Sequence, residues 1–313
     1  MLWPAPSTPR DSMASIVSSC GGVVWPSASR PEGDAVASVA GKTILMSGGS
    51  RGIGLAIALR AARDGANIAV LAKTAQPHAK LAGTVYSAAA AIVEAGGRAL
   101  PIVGDIRSDD VVFDAVDATC GEFGGIDMVV NNASAIDLSP TPSLSMKRYD
   151  LMQDINCRGS FLLAKAAIPG LRASARTGRN PHILTLSPPL NLTPRWVGAH
   201  LGYTIAKYGM SLTTIGLADE LKVDGIAVHS LWPRTTIATA AIINMDHGDE
   251  RAARARRPEI MADAAYAVLS GQAHYTTGQF LIDEEVLGRI GITDLSAYRY
   301  ADTDEELQLD LFL

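Results

Sequence analysis

A short apolar run followed by a glycine-rich turn and a helix is the feature that most constrains the fold of this chain. Residues 43–46 read TILM, and residues 55–63 have the pattern of a helix that stops at Gly65. Glycines let the backbone of the intervening turn approach a pyrophosphate, and the helix N-terminus offers free N–H groups with a partial positive charge. A ligand-free tight turn is the alternative, which the strand before and the helix after disfavour. The predicted cofactor contacts in this turn are Ser47, Gly48, Ser50, Arg51, Gly52, Ile53 and Gly54.

The alternation of strand and helix patterns continues along the chain. Further buried strands are expected at residues 67–72, 99–103, 128–133, 182–186, 226–231 and 279–282. A chain of 313 residues with 48% hydrophobic content is able to bury a substantial core. The alternation predicts an α/β fold, a single doubly wound domain of the Rossmann type with a parallel sheet of about seven strands and helices on both faces. The predicted boundaries are a flexible N-terminal extension at 1–40, the domain at 41–290 and a C-terminal tail at 291–313.

Tyr203 and Lys207 are the leading candidates for catalysis. Four residues are about one helical turn, so both side chains are expected on one face of the helix predicted at residues 201–222. A phenol beside a fixed cation ionises more easily, which brings its pKa from about 10 towards the range where it exchanges protons with an alcohol or a ketone. A surface helical pair is the alternative. The order of further polar residues along the chain favours the catalytic interpretation.

Polar and small residues end several of the predicted strands, where a doubly wound sheet binds its ligand. Asp105 ends the third strand, and Asn132 and Ala133 end the fourth. Ser187 follows the fifth strand, where the next residue, Pro188, restricts it to an extended conformation and so holds its hydroxyl in place.

The residue after the second strand indicates which cofactor is used. NAD-binding turns usually carry an acid there for the ribose 2′-hydroxyl, but this chain has Lys73. Lys73 and Arg51 together favour NADP over NAD, because two cations suit a 2′-phosphate. Solvated surface charges are the alternative.

Composition excludes several classes of function. With 27 basic and 32 acidic residues the net charge is -5, which argues against a nucleic-acid partner. Cys20, Cys120 and Cys157 form no C-x-x-C pair, and the histidines have no metal-ligand spacing, so we expect no metal site and a reducing, cytoplasmic location. The sequence contains no uninterrupted run of 18 apolar residues, so no membrane-spanning helix is predicted.

The sequence resembles the short-chain dehydrogenase/reductase family over residues 41–283. The turn at 47–54 matches the family's T-G-x-x-x-G-x-G with Ser47 in place of Thr, and residues 131–134 match its N-N-A-G with Ser134 in place of the final Gly. Segments 72–78, 187–192 and 203–210 are similar to the hydroxysteroid dehydrogenase-like group of that family. Some members of the group carry a C-terminal sterol-carrier domain, which this chain is expected to lack. The family's tetrad corresponds, in order, to Asn156, Ser187, Tyr203 and Lys207.

The resemblance implies a role for each tetrad residue. Tyr203 would be the general acid/base, and Lys207 would lower its pKa and hold the nicotinamide ribose. Ser187 would hydrogen-bond the carbonyl oxygen. Asn156 would seat a water that links Lys207 to solvent. A homodimer or homotetramer, paired through the helices that carry Asn156 and Tyr203, is also implied.

The resemblance also implies the remaining cofactor contacts. Asp105 and Asn132 would contact the adenine and ribose parts. Pro233 and Thr235 would lie near the carboxamide, although the family's P-G turn reads Pro233-Arg234 here, which leaves Thr236 and Thr239 as alternatives to Thr235.

Our principal hypothesis is an NADP-dependent oxidoreductase that interconverts an apolar alcohol and its ketone or aldehyde. Leu190, Leu192 and Trp196, between Ser187 and Tyr203, are expected to line an apolar pocket, with core packing as the alternative. A cofactor-binding sensor or scaffold with little turnover is the rival from another class, motivated by the altered Pro233-Arg234 turn. An epimerase or dehydratase is a weaker rival, because such chains usually carry a longer C-terminal substrate domain.

Overall fold

Seven parallel strands form one sheet in the order β3-β2-β1-β4-β5-β6-β7. The computed structural model describes residues 37–77, 82–244, 247–302 and 305–313. Of the predicted N-terminal extension at 1–40, residues 1–36 lie outside the described residues. The strands are β1 (Thr43–Ser47), β2 (Asn67–Ala72), β3 (Arg98–Val103), β4 (Met128–Asn131), β5 (His182–Thr185), β6 (Ala227–Trp232) and β7 (Phe280–Ile282). The predicted sheet is confirmed.

Helices cover both faces of the sheet. They are α1 (Gly52–Ala62), α2 (Val85–Glu94), α3 (Asp109–Phe123), α4 (Met146–Met152), α5 (Gly159–Arg176), α6 (Pro194–Ala199), α7 (Leu201–Leu221), α8 (Ala240–Ile243), α9 (Gly248–Ala253), α10 (Glu259–Ser270) and α11 (Asp283–Arg289). A π-helical segment, Gln153–Arg158, joins α4 to α5. Short 3₁₀ turns lie at Lys222–Asp224 and Ser296–Tyr298.

Alternate residues of the buried strands enter two separate hydrophobic cores. In β1, Ile44 and Met46 pack with α1 and α10, whereas Leu45 packs on the opposite face with α3, α5 and α7. Successive side chains of a strand point to opposite faces, so a parallel strand covered on both sides must be apolar throughout. This requirement explains why the central strands read as continuous apolar runs.

The strand order reverses direction between β1 and β4, because the chain builds β1, β2 and β3 to one side and β4 to β7 to the other. Ligands of doubly wound sheets bind in the crevice at the carboxyl ends of the strands at such a point. The ends of β1 and β4 are Ser47 and Asn131, which bring the glycine turn next to Asn132.

The last residues of the chain return across the carboxyl edge of the sheet. Residues 308–313, which we call the strap, form an antiparallel bridge through Leu309 to Thr235, after β6. The Thr236 N–H donates to the Gln308 carbonyl at 2.9 Å, and the Asp310 N–H donates to the Arg234 carbonyl at 3.1 Å. Residues 309–313 therefore pack on their own chain.

Candidate active site

The glycine turn is joined to the end of β4 by the side chains of Ser47 and Asn132. The Ser47 hydroxyl accepts the N–H groups of Asn132 (3.2 Å) and Ala133 (3.1 Å). In return the Asn132 amide donates to the Gly48 carbonyl at 2.8 Å. Ser47 therefore holds two strand ends in register and does not itself line the cavity described below.

Close packing against β4 explains two of the turn's glycines. A Cβ on Gly48, whose φ is 72°, would lie 2.8 Å from the Ala133 Cα, and a Cβ on Gly54 would lie 2.5 Å from the Asn132 Nδ2. Both distances are too short for a methyl group, so only glycine fits. Arg51, which precedes α1, makes no side-chain capping bond, so the first N–H groups of the helix remain available to an anion.

Asn156 lies in the π-helical segment and is fully buried. Its side-chain oxygen accepts the Ala135 N–H at 2.7 Å, and its amide donates to the Ala135 carbonyl at 2.9 Å. A π-helical turn widens the helix locally and is common at functional sites. Asn156 thereby fixes the chain that follows β4, and it does not line the cavity.

Tyr203 and Lys207 lie one turn apart on α7, and both line the cavity. The Lys207 ammonium donates to the Leu186 carbonyl at 2.8 Å and lies 5.2 Å from the centre of the Trp232 ring. Burial lowers the pKa of Lys207 to about 7, and the nearby Asp310 carboxylate opposes this.

The electrostatics of Tyr203 differ from the sequence expectation that Lys207 lowers its pKa. Burial raises the pKa of the Tyr203 phenol, Asp310 raises it further, and a hydrogen bond with the Ser134 side chain opposes both. In this structure the phenol is therefore held protonated. A protonated phenol is the form that donates a proton to a carbonyl oxygen.

Ser187 and Ser134 occupy different environments. Ser187 is fully buried, and its hydroxyl lies 2.8 Å from that of Ser230, which in turn lies 2.8 Å from the hydroxyl of Thr214. The structure does not bring Ser187 to the cavity, whereas Ser134 lines it beside Tyr203. The signal for Ser134 in the sequence was its departure from the N-N-A-G motif.

Basic and acidic side chains flank the end of the cavity next to β2 and β3. Arg51 donates to the Gly83 carbonyl at 2.7 Å, and its buried Nε has no partner among the described residues. Lys73 is exposed and lines the cavity. Asp105 lines it too, but its carboxylate is held by Arg107 at 2.7 Å, which lowers the pKa of Asp105.

The turn after β6 brings two of the three candidate threonines to the cavity. Pro233, Thr236 and Thr239 line it, whereas Thr235 is buried elsewhere with its hydroxyl unpaired among the described residues. Arg234, the residue before Thr235, donates its backbone N–H to the buried carboxylate of Asp283 at 2.8 Å.

One cavity of about 670 Å³ connects these groups, which is within the usual range for a ligand site. Leu190, Leu192 and Trp196 do not line it, so they do not form the apolar wall expected of them. Its apolar side chains include Ile136, Leu138, Leu151, Trp232, Leu309 and Leu311. The predicted site residues that line it are Gly48, Ser50, Arg51, Ile53, Lys73, Asp105, Asn132, Ala133, Tyr203, Lys207 and Pro233. Those that do not are Ser47, Gly52, Gly54, Asn156, Ser187 and Thr235.

The sequence profile of the short chain dehydrogenase family matches residues 42–248. This chain belongs to the short chain dehydrogenase family. Members of this family are oxidoreductases that use NAD(P).

Relatives place this short chain dehydrogenase in the hydroxysteroid dehydrogenase-like group. Hydroxysteroid dehydrogenase-like protein 2 of Danio rerio is 52% identical over 275 residues, which cover 88% of this chain and 64% of the relative. The Homo sapiens protein of the same name is 48% identical with the same coverage. The chain thus spans less than two thirds of the length of these relatives.

Solved structures agree with the fold of this short chain dehydrogenase. A short chain dehydrogenase from Mycobacterium thermoresistibile superposes with a TM-score of 0.80 at 54% identity, covering 88% of this chain and 95% of that one. A Xanthomonas campestris protein of 56% identity has a TM-score of 0.81, with coverages of 88% and 98%. The NADH-dependent reductase A1-R′, in complex with NAD, has a TM-score of 0.64 at 26% identity, with coverages of 78% and 95%.

In the described part of the chain, no group of three or more His, Cys, Asp or Glu side chains is arranged to hold a metal ion. Helices long and apolar enough to cross a membrane are likewise absent from that part.

Proposed function

We propose that this chain is an NADP-dependent oxidoreductase that interconverts an apolar alcohol and its ketone or aldehyde. The observation that carries the proposal is one cavity in which the glycine turn, Tyr203 and Lys207 all take part. Its apolar lining at the Tyr203 end suits an uncharged, apolar substrate.

The residues around the cavity fit a dinucleotide. The absence of a Cβ at Gly48 lets the glycine turn pack against the end of β4 beside the crevice, and the first N–H groups of α1 suit a pyrophosphate. Lys207 would hold the nicotinamide ribose, Tyr203 would lie beside the nicotinamide, and Pro233 with Thr236 would lie near the carboxamide. When bound, the nicotinamide supplies or accepts the hydride at the carbonyl carbon.

NADP is proposed over NAD because of the unpaired Nε of Arg51. A buried guanidinium N–H without a partner favours an anionic acceptor, and Lys73 adds a second positive charge at the same end of the cavity. The Asp105 carboxylate is paired with Arg107, so its negative charge repels a 2′-phosphate only weakly.

Tyr203 is proposed to move the proton. Its phenol is held protonated by burial and by Asp310, so it donates to the oxygen of a ketone during reduction. Lys207, held at the Leu186 carbonyl, would stabilise the phenolate that remains. We propose that Ser134 orients the carbonyl oxygen, because it lines the cavity beside Tyr203, and that Asn156 acts by holding Ala135 in place.

A homodimer is also proposed, across α5 and α7. Phe161 of α5 is 50% exposed, and Ile205 and Leu212 of α7 are 44% and 59% exposed. Ile205 and Leu212 are seven residues apart, so they lie on one face of α7. Such an exposed apolar face favours a partner surface. The free thiols of Cys120 and Cys157 support a reducing, cytoplasmic location.

The test is a fluorescence titration with NADPH and NADH, followed by assays of NADPH oxidation with aliphatic and cyclic ketones and aldehydes. We expect tighter binding of NADPH and turnover with at least one apolar ketone. Tight NADPH binding without oxidation by any carbonyl compound would favour the sensor or scaffold.

A further inference from the structure

The strap, residues 308–313, forms part of the wall of the cavity that holds Tyr203. Gln308, Leu309, Asp310 and Leu311 all line this cavity. The strap is anchored on both sides of the site, since the Trp232 indole donates to the Leu311 carbonyl at 3.0 Å and the Asn191 amide donates to the Phe312 carbonyl at 3.1 Å. These bonds tie it to β6 and to the loop after β5.

Phe312 anchors the strap in a cluster of aromatic rings. Its ring lies 5.3 Å from Tyr208, 6.0 Å from Trp232 and 6.3 Å from both Trp196 and Tyr203, measured between centroids. Its backbone adopts a φ of 75°, which costs a bulky residue free energy and persists only where the surroundings enforce it. The strap is therefore a fixed part of the site.

The strap leaves Tyr203 in contact with the cavity, so it is a wall and does not fill the site. Leu311 packs in one cluster with Trp232 and Leu138, and Leu309 also lines the cavity. Asp310, between these two leucines, places a carboxyl group in the same wall. Burial raises the pKa of Asp310 to about 7, and the nearby Lys207 opposes this, so the group is ionised above that pH, where its charge acts on both Tyr203 and Lys207.

We propose that the strap determines substrate specificity, with Leu311 selecting an apolar chain next to the reacting carbonyl and Asp310 rejecting carbonyl compounds that carry a carboxylate. This proposal rests on the proposed function and goes beyond it by naming the residues that select the substrate. Where Asp310 is ionised, a substrate carboxylate brought close to it would meet a like charge in a poorly hydrated cavity, which is the repulsive element that specificity requires. Loss of the Leu311 side chain would remove apolar contact from a chain bound there.

Binding of ketones to the NADP-saturated protein, measured at a pH above the pKa of Asp310, tests the proposal without turnover. Tryptophan fluorescence reports binding, because Trp232, whose indole holds the strap, lines the cavity. The probes are methyl ketones of increasing chain length, and a long-chain keto acid with its methyl ester as a matched charged and neutral pair. The proteins are the wild type, Asp310→Asn, Leu311→Ala and Leu307→Ala. Leu307 is the matched control, because it precedes the strap and does not line the cavity.

We expect Asp310→Asn to raise the affinity for the keto acid relative to its ester about tenfold, and Leu311→Ala to weaken binding of the longest ketone about tenfold while the shortest changes little. Leu307→Ala should leave both ratios unchanged. If the ratio of keto-acid affinity to ester affinity is the same in Asp310→Asn and the wild type, the role of Asp310 is overturned. If Leu311→Ala and Leu307→Ala have the same preference for ketone chain length, the role of Leu311 is overturned.

Two further outcomes separate this proposal from the proposed function. If ketones bind with the expected selectivity but none oxidises NADPH, the proposed function fails and the assignment of the strap stands. If no ketone binds to the wild type, the assignment of the strap fails as well. Thermal unfolding of each variant shows that a change in affinity does not come from loss of the fold.

Discussion

The ring of Phe312 lies over that of Tyr203, with centroids 6.3 Å apart and planes inclined by 27°. Phe312 belongs to the last segment of the chain, whereas Tyr203 lies in α7. The contact therefore joins the strap to the residue that we propose as the general acid/base. It also explains why Tyr203 is only 5% exposed although it lines a cavity.

Ser134 and Ser187 give a direct comparison of two hydroxyls. We expect Ser134→Ala to lower kcat/KM about 100-fold, because it removes the hydroxyl that we propose orients the reacting oxygen. Ser187→Ala should keep most of the activity and lose roughly 1 kcal/mol of stability, since its hydroxyl serves the buried bond to Ser230. Steady-state kinetics and urea unfolding measure the two effects. Loss of turnover in Ser187→Ala, with normal kinetics of Ser134→Ala, would mean that Ser187 and not Ser134 orients the carbonyl oxygen.

Lys73 tests the choice of cofactor. Lys73→Ala should weaken NADPH binding about fivefold and leave NADH binding nearly unchanged, because an exposed charge pair contributes up to about 1 kcal/mol. Lys165→Ala, which removes an exposed lysine of α5 away from the cavity, is the control. Equal weakening of NADPH and NADH by Lys73→Ala would contradict a contact to a 2′-phosphate.

Asp283 gives a pH dependence of stability. Burial raises the pKa of Asp283 to about 6 from 3.8. A raised carboxyl pKa stabilises the fold below pH 3.8, and this stability is lost as the pH rises through about 6. Asp283→Asn keeps an oxygen for the Arg234 and Glu284 N–H groups. From pH 4 to 7 the free energy of unfolding of the wild type should therefore fall relative to Asp283→Asn by up to roughly 3 kcal/mol.

Urea unfolding at several pH values between 4 and 8 provides this comparison. A difference between the two proteins that stays constant with pH would mean that Asp283 titrates normally in the folded state.

The exposed face of α7 tests the proposed dimer. Leu212→Glu places a charge on this face and should convert a dimer to a monomer in light scattering. Val223→Glu is the control, because Val223 is 84% exposed and lies beyond α7 in the following 3₁₀ turn. A wild-type protein that is already monomeric, or a Leu212→Glu variant that stays dimeric, would argue against this interface.

The sequence predicted the sheet because its signals are local. Residues 67–72 are apolar throughout and bounded by turn residues, which is sufficient to indicate a strand buried on both faces. The glycine turn was recognisable for the same reason, since strand, turn and helix are adjacent in the chain.

The parts of the site that sequence reasoning missed depend on tertiary contacts. The direction of the Ser187 hydroxyl depends on its neighbour Ser230 in β6. The π-helical segment around Asn156 forms where its side chain meets the backbone of Ala135. The alternation of polar and apolar residues in the strap is too short to indicate where it packs. The strap becomes part of the site because Phe312 packs in a cluster of rings from α6, α7 and β6.

The most direct test of the account is Tyr203→Phe, assayed for NADPH binding and for NADPH oxidation with an apolar ketone that the wild type reduces. The substitution removes only the hydroxyl, so the ring contact with Phe312 and the fold should persist. We expect an unchanged dissociation constant for NADPH and a loss of turnover of about 10³-fold, as for removal of a general acid. Turnover by Tyr203→Phe at the wild-type rate would contradict the assignment of Tyr203 as the residue that donates the proton.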